Sequence, residues 1–343
     1  MTHLPIPNII HFIWFGAEIP EFAAMMIRAA AVRCPTASVR VWVEPGRTCG
    51  AAVKRLCLND RVEFCPFVFE DELAHLYGKN STMSESISLV WSRLTQRAAQ
   101  ANVARLLILA NYGGIYLDTD VLVLKDFAPL RKYDAFCGLE SVVWPRRELK
   151  IWGSYRLLVG PALSLLRHGL SRIPQGYCAN DWLERRLQFA ANNAVLGARA
   201  KHPLLLRGLS TIATLLPTDQ VKRIRLGTHL LQELLAEAPI GFESLSPTHF
   251  YPLGPVMSHQ YFLEHGDPSF VLNRITSKDT YAIHFYASVC DLNDYGFDYV
   301  AGRGRKTLYG TLCQGLLPSV STVSYESMDG NDQGRSVCES SVA

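Results

Sequence analysis

The chain is poor in charge: Asp, Glu, Lys and Arg make up only 19% of its 343 residues, and they nearly cancel to a net charge of +3. A dedicated nucleic-acid binder concentrates a strong basic excess on one face, so no nucleic-acid partner is expected. Paired cysteine spacings are missing as well. The nine cysteines are odd in number and irregular, with no CxxC among them. They read as reduced thiols in a reducing compartment, which argues against a disulfide framework. No long uncharged apolar run occurs either, so neither a signal peptide nor a membrane span is evident. What is abundant is apolar side chain, 48% of residues, in a length that suits a single large α/β domain with a substantial core.

The chemistry concentrates in Tyr112-Gly113-Gly114-Ile115-Tyr116-Leu117-Asp118-Thr119-Asp120-Val121-Leu122-Val123-Leu124. Before it, Val103, Leu106, Leu107 and Ala110 recur at helical spacing and turn one face to a core. Gly113 can close that helix in a left-handed conformation, and Gly114 permits a tight entry into the next element. Ile115 and the run from Val121 to Leu124 then read as a strand buried on both faces. Two carboxylates interrupt it. Burying ionised Asp118 and Asp120 without a partner would cost several kcal/mol. One divalent cation, Mg²⁺ or Mn²⁺, compensates both if the strand bends at Thr119, and such ions keep open positions for substrate phosphates. An Asp-x-Asp can also simply end a strand and cap a loop, but apolar residues on both sides set this pair apart from a solvated turn.

Taken in order, residues 8–15, 38–43 and 62–68 read as strands, 22–32 as a helix, 81–110 as a helical stretch and 135–140 as a further strand. This βα alternation points to an open sheet whose ligands collect beyond the strands' carboxyl ends, so Trp14 and Asp118 are expected to face one cleft. Arg93 and Arg97 read as a solvated helix face. Residues 144–172 mix Trp144, Arg146, Arg147, Lys150, Trp152 and Arg156 with leucines. Such an insertion either rests on an anionic membrane surface or packs as a helical lobe on the core, and the packed lobe is preferred. From Gly302 onward small polar residues dominate, and a polar, mobile tail is expected.

Arg105, the Gly113-Gly114 pair, Tyr116, Leu117, Asp118 and Asp120 resemble the sugar-nucleotide-binding core of glycosyltransferase family 32, and more distantly the glucosyltransferase domain of the large clostridial toxins. Residues 6–16 (IPNIIHFIWFG) are similar to the family's first strand and residues 281–286 (YAIHFY) to its closing one. The resemblance implies a GT-A fold: α/β, a Rossmann-like mixed sheet flanked by helices, with helical insertions. Residues 1–300 would form that domain, the insertion at 144–190, and residues 301–343 the tail. It implies that Arg105 contacts the donor, that Trp14 stacks on the nucleotide base, and that Asn192, Gly227 and Thr228 shape the sugar pocket. Gly227 would permit close approach and Thr228 would cap a helix.

Core packing remains the other reading for Trp14 and turn geometry for Asn192. His284 would complete the metal site begun by Asp118 and Asp120, or serve as a satisfied core histidine. Two positions depart from the family pattern: Asn102 stands where an Asp usually grips the donor sugar, and Ala287 to Cys290 where a Trp usually lies.

The implied activity is metal-dependent, retaining transfer of a hexose or N-acetylhexosamine from a nucleotide sugar, UDP foremost, to a saccharide or lipid-linked acceptor in surface polysaccharide synthesis. No carboxylate stands out as a covalent nucleophile. Eukaryotic relatives carry an N-terminal anchor, so this chain is expected to be bacterial and cytoplasmic, with peripheral membrane contact at most. A toxin-like enzyme acting on a host protein, a nucleotide-sugar phosphohydrolase and a non-catalytic binding module are the competing readings.

Overall fold

The computed structural model describes residues 5–47, 61–145, 153–184, 187–237 and 239–317. Nine strands are found among them: β1 (Ile9–Trp14), β2 (Ser38–Val43), β3 (Val62–Pro66), β4 (Gly114–Leu117), β5 (Val121–Val123), β6 (Ala135–Pro145), β7 (Leu187–Ala198), β8 (Phe242–Leu245) and β9 (Ala282–His284). Seven form one sheet in the order β3-β2-β1-β4-β7-β6-β8, while β5 and β9 make a separate antiparallel pair. β1, β2, β3 and β4 run parallel, and β7 is antiparallel to both β4 and β6. The expected α/β architecture, a mixed sheet flanked by helices with helical insertions, is the one observed.

Alternation along the strands sorts side chains into two cores. Ile10, Phe12, Val39, Val41, Ile115 and Leu117 pack on one face with the helix Glu21–Arg33. Ile13, Trp42 and Tyr116 pack on the other with the helix Arg97–Tyr112. The sheet is therefore apolar on both sides, as its near-continuous Val, Ile and Leu content requires.

Two glycines join the second helix to the sheet. Gly113 and Gly114 both have positive φ, 62° and 104°. A Cβ on Gly113 would lie 2.7 Å from the Ala200 nitrogen, and one on Gly114 would lie 2.6 Å from the Ile9 carbonyl and 2.8 Å from His11 Nε2. Only glycine satisfies both the backbone angle and the close approach. His11 fills the space this leaves. Its Nε2 lies 2.8 Å from the Gly113 carbonyl, and Trp42 Nε1 donates to its Nδ1 at 3.1 Å. Those two partners select one neutral tautomer, in which Nε2 carries the proton.

Two differences from the sequence reading have physical causes. The stretch 81–110 is two helices, Thr82–Arg93 and Arg97–Tyr112. Leu94 turns extended between them and is buried, and Gln100 Nε2 donates to its carbonyl at 3.0 Å. The chain after Gly302 is not yet a tail: Leu308, Tyr309 and Cys313 are fully buried, and the helix Leu308–Cys313 packs into the core. Residues 318–343 lie outside the described residues, as do Arg146 to Trp152 of the insertion. The described part of the insertion is the packed lobe that the sequence reading preferred. Arg167 of the helix Gly153–Ser171 is wholly buried, bonded to Asn180 at 3.1 Å and Glu184 at 3.1 Å. Gln260 Nε2 donates to the carbonyls of Leu170, Ser171 and Ile173 at 3.1, 2.8 and 2.7 Å, closing the helix end against the core.

His11 makes stability depend on pH. Complete burial pushes its pKa down from 6.5 to about 4 despite the Gly113 carbonyl, so the folded protein holds it neutral while the unfolded chain protonates it. Its contribution is intact above pH 6.5 and is lost as pH falls toward 4, by about 3 kcal/mol. Equilibrium unfolding across that range should fall more steeply in the wild type than in His11→Gln, and equal slopes would contradict the assignment.

Candidate functional site

β4 carries the chain into the sheet's carboxyl edge and stops at Leu117. Asp118, Thr119 and Asp120 turn there: the Asp118 amide donates to the Ala194 carbonyl at 2.8 Å, and the Val121 amide donates back to the Asp118 carbonyl at 3.0 Å. Val121 then enters β5 and leaves the large sheet for β9. The apolar run is thus two strands in two sheets, and the bend falls at Thr119 as the paired carboxylates require.

Each carboxylate has its own set of partners. Asp118 Oδ1 accepts from Arg105 Nη2 at 2.8 Å and from the Tyr116 hydroxyl at 2.7 Å. Arg105 is buried, stacks over the Tyr116 ring at 4.3 Å and donates from Nη1 to the Asn193 carbonyl at 2.5 Å. Burial holds the Tyr116 phenol well above its ordinary value, with the neighbouring Asp118 carboxylate adding to the shift, so it remains a donor. Asp120 Oδ2 accepts from the Ala287 amide at 2.7 Å and lies 3.2 Å from His284 Nε2. Burial alone would favour the neutral forms of both. The mutual attraction of the pair outweighs it, raising His284 above its ordinary value and lowering Asp120.

Asp118, Asp120 and His284 each offer a ligand atom, and the three atoms lie within 4.8 Å of one another. Two carboxylates and an imidazole are a donor set that suits a divalent cation. Among the described residues, His284 Nδ1 is buried without a hydrogen-bond partner, as are Arg105 Nε and Trp14 Nε1. Buried donors left open in this way cost free energy unless a ligand meets them.

All three residues line one cavity of about 550 Å³ on the carboxyl edge of the sheet. Its wall holds Trp14, Asn102, Arg105, Tyr116, Asp118, Asp120, Asn192, Gly227, Thr228 and His284. Every residue the sequence pointed to therefore meets in one place. Several do different work from that expected. Asn102 ties the wall together, its Nδ2 donating to the Arg223 carbonyl at 2.8 Å and its Oδ1 accepting from Asn193 at 3.1 Å. Asn192 turns its Nδ2 to Glu140 at 2.8 Å, while its Oδ1 accepts from the Ala194 amide at 2.7 Å. Thr228 does not cap a helix: it lies within a π-helical turn, Arg225–His229, kinked at Gly227. Gly227 does permit close approach, since a Cβ there would sit 2.9 Å from the amide nitrogens of both Asn102 and Asn193.

Arg97, read as part of a solvated face, is exposed and also stands at the rim of the cavity with Arg223. Two further wall residues escaped the sequence reading, Glu140 and Tyr286. Glu140 closes the recognised strand and looked like a strand end. Tyr286 has a φ of 57°, a conformation rare outside glycine, and it aims its hydroxyl at Glu140 Oε2, 3.1 Å away. The same reversal presents the Ala287 amide to Asp120. Where the resemblance led to an expected tryptophan, Ala287 and Ser288 line the cavity, and Cys290 is buried against Ser258 at 3.4 Å.

Residues 50–137 match the family model described as a glycosyltransferase sugar-binding region containing the DXD motif. Among solved structures, the chain is similar to the PaToxG glycosyltransferase at 18% identity and a TM-score of 0.42, covering 68% of this chain and 69% of that one. The galactosyltransferase LgtC, in complex with donor and acceptor sugar analogs, shares 15% identity at a TM-score of 0.39, over 90% of this chain and 95% of that one. The UDP-bound glycosyltransferase domain from the YGT toxin shares 9% identity at a TM-score of 0.41, over 70% and 79% respectively. No curated protein matches the chain.

Because Gly227 has no room for a methyl group, Gly227→Ala should drive the two asparagine amides apart. A loss of about 1 to 3 kcal/mol is expected from overpacking, read as a lower melting temperature, and an unchanged melt would show that the wall yields freely.

Proposed function

We propose, from the premise that this chain carries the DXD sugar-binding region of a glycosyltransferase, that it moves a hexose or N-acetylhexosamine from a UDP-sugar to a saccharide or lipid-linked acceptor. The observation that carries this reading is the convergence of Asp118, Asp120 and His284 beside Arg105 in one cavity. A chain whose acids merely ended a strand would not bring a histidine from 164 residues away onto one of them.

Asp118, Asp120 and His284 would hold a Mn²⁺ or Mg²⁺ ion, which when bound neutralises charge on the departing diphosphate. Arg105 sets the Asp118 carboxylate and supplies a second positive charge on that side of the cavity. Tyr116 completes the grip from beneath. Trp14, half-buried on the cavity wall beside Phe15, offers its indole face to the nucleotide base. Asn102, Asn193 and Gly227 shape the wall, and Asn192, part of it, holds Glu140 in place. The acceptor hydroxyl then attacks the anomeric carbon, with the leaving phosphate taking its proton and configuration retained, giving an α-linked product.

The setting proposed is synthesis of a bacterial surface polysaccharide in the cytoplasm, at the inner face of the membrane. Among the described residues no helix is long and apolar enough to cross a membrane. Leu165, Leu166 and Trp182 of the helical lobe are exposed and offer the surface on which a lipid-linked acceptor would be met.

Asp120→Asn keeps shape and removes charge. It is expected to weaken Mn²⁺ binding by about 100-fold or more and to abolish UDP release in the presence of acceptor, measured by calorimetry and a diphosphate assay over a panel of UDP- and GDP-sugars. Wild-type turnover in the variant would refute the metal-assisted reading. UDP release from wild type that ignores saccharide, lipid-linked and protein acceptors alike would make the enzyme a phosphohydrolase.

Metal binding should also track pH. His284 must lose its proton to act as a ligand, and its raised pKa means Mn²⁺ affinity climbs through and above the ordinary histidine range. Affinity flat from about pH 6 to pH 8 would remove His284 from the ligand set.

A further inference from the structure

Three carboxylates line the cavity: Asp118, Asp120 and Glu140. The first pairs with Arg105 and the second with His284. Glu140 differs from both. Its contacts are neutral donors, Asn192 Nδ2 at 2.8 Å and the Tyr286 hydroxyl at 3.1 Å, and both fall on Oε2. Oε1 has no protein partner among the described residues.

The two donors do more than satisfy one oxygen. Asn192 is itself fixed by the Ala194 amide. Tyr286 is fixed by its unusual backbone conformation and by its ring, whose centroid lies 3.9 Å from that of His284. A carboxylate clamped through one oxygen cannot swing, so Oε1 is held at a set point in the cavity. β6 lies two strands from β4 in the sheet. At about 4.8 Å between neighbours, β6 stands roughly 10 Å across the sheet from β4, so Glu140 and the Asp118 turn belong to different parts of one cavity wall.

We infer that Glu140 is a specificity-determining residue for the proposed transfer, accepting hydrogen bonds through Oε1 from hydroxyls of the sugar being moved. This rests on the nucleotide-sugar reading above and assigns the end of the cavity which that reading leaves without a partner. Hydroxyl groups are donors that a fixed carboxylate recognises well, and a donor sugar lacking the matched hydroxyl would leave Oε1 dry and unpaired. Burial raises the Glu140 carboxyl above its ordinary range, opposed by Asn192, by the charge on His284 and by Tyr286.

The test titrates the full chain, with Mn²⁺ present, using UDP, UDP-glucose, UDP-galactose and UDP-N-acetylglucosamine. In Glu140→Gln, affinity for UDP alone should stay within about twofold of wild type, while the affinity gained by adding the sugar falls about 10- to 100-fold. Tyr286→Phe, which removes one clamp, should shift the same ratio in the same direction by less. Deoxy versions of the preferred donor should lose affinity for wild type at one hydroxyl and not for Glu140→Gln.

A merely structural role would lower the melting temperature and weaken UDP and UDP-sugar together. A wild-type ratio of UDP-sugar to UDP affinity in Glu140→Gln overturns the inference while leaving the transferase reading intact. Failure of wild type to bind any of the four nucleotides overturns both. Should Glu140→Gln not fold, Glu140→Asp and Tyr286→Phe carry the same ratio test, and unchanged ratios in both overturn the inference.

Discussion

Everything at the cavity depends on how two carboxylates are kept in an apolar neighbourhood. Asp118 is held by a buried guanidinium and a phenol, Asp120 by a backbone amide and an imidazole. Each acid is satisfied from a different element, so the elements cannot drift apart without exposing an unpaired charge. Breaking the buried Asp120–His284 pair on one side would cost about 3 to 5 kcal/mol, which helps to fix this turn. The cost of desolvation thus becomes a positional constraint, and an ion with open coordination sites is what such a constraint can hold.

The wall around that point is fixed by backbone rather than by bulk. Gly113 and Gly114 let the helix Arg97–Tyr112 press Arg105 against β4. Gly227 lets a kinked turn lie on two asparagine amides. Tyr286, with the backbone angle of a glycine and the side chain of a tyrosine, closes the opposite side. Strain of this kind persists only where the surroundings over-determine it. Here the surroundings are the β5–β9 pair on one side and the Glu140 clamp on the other.

Much of this was legible in the chain itself. The acidic pair inside an apolar run, the doubled glycine before it and Arg105 one helix earlier are local signals, and their meaning survives without three-dimensional knowledge. β2 was placed to the residue, because its six-residue alternation has clear ends. What escaped depends on distant partners. Asn102 and Asn192 are amides whose two ends bond where the fold directs them, and nothing in the residue type says that one would hold a carbonyl and the other a glutamate. Glu140 looked like a strand end because Asn192 of β7 and Tyr286, which give it a purpose, lie 52 and 146 residues further on. The buried start of the C-terminal segment was hidden by its small residues: Gly304 and Gly310 pack closely against backbone and ring, and their composition resembles disorder.

The pairing of β5 with β9 has a consequence for how the protein comes into being on the ribosome. Asp120 is translated 164 residues before His284. At about 5 to 20 residues per second, roughly 10 to 30 s pass between them. Throughout that interval β5 has no edge to pair with, and the nascent chain presents a short greasy strand beside an acid that lacks its counter-ion. Prematurely terminated products must therefore be inert and sticky, a natural burden for chaperones, and only a chain synthesised past Ala287 can assemble a working centre.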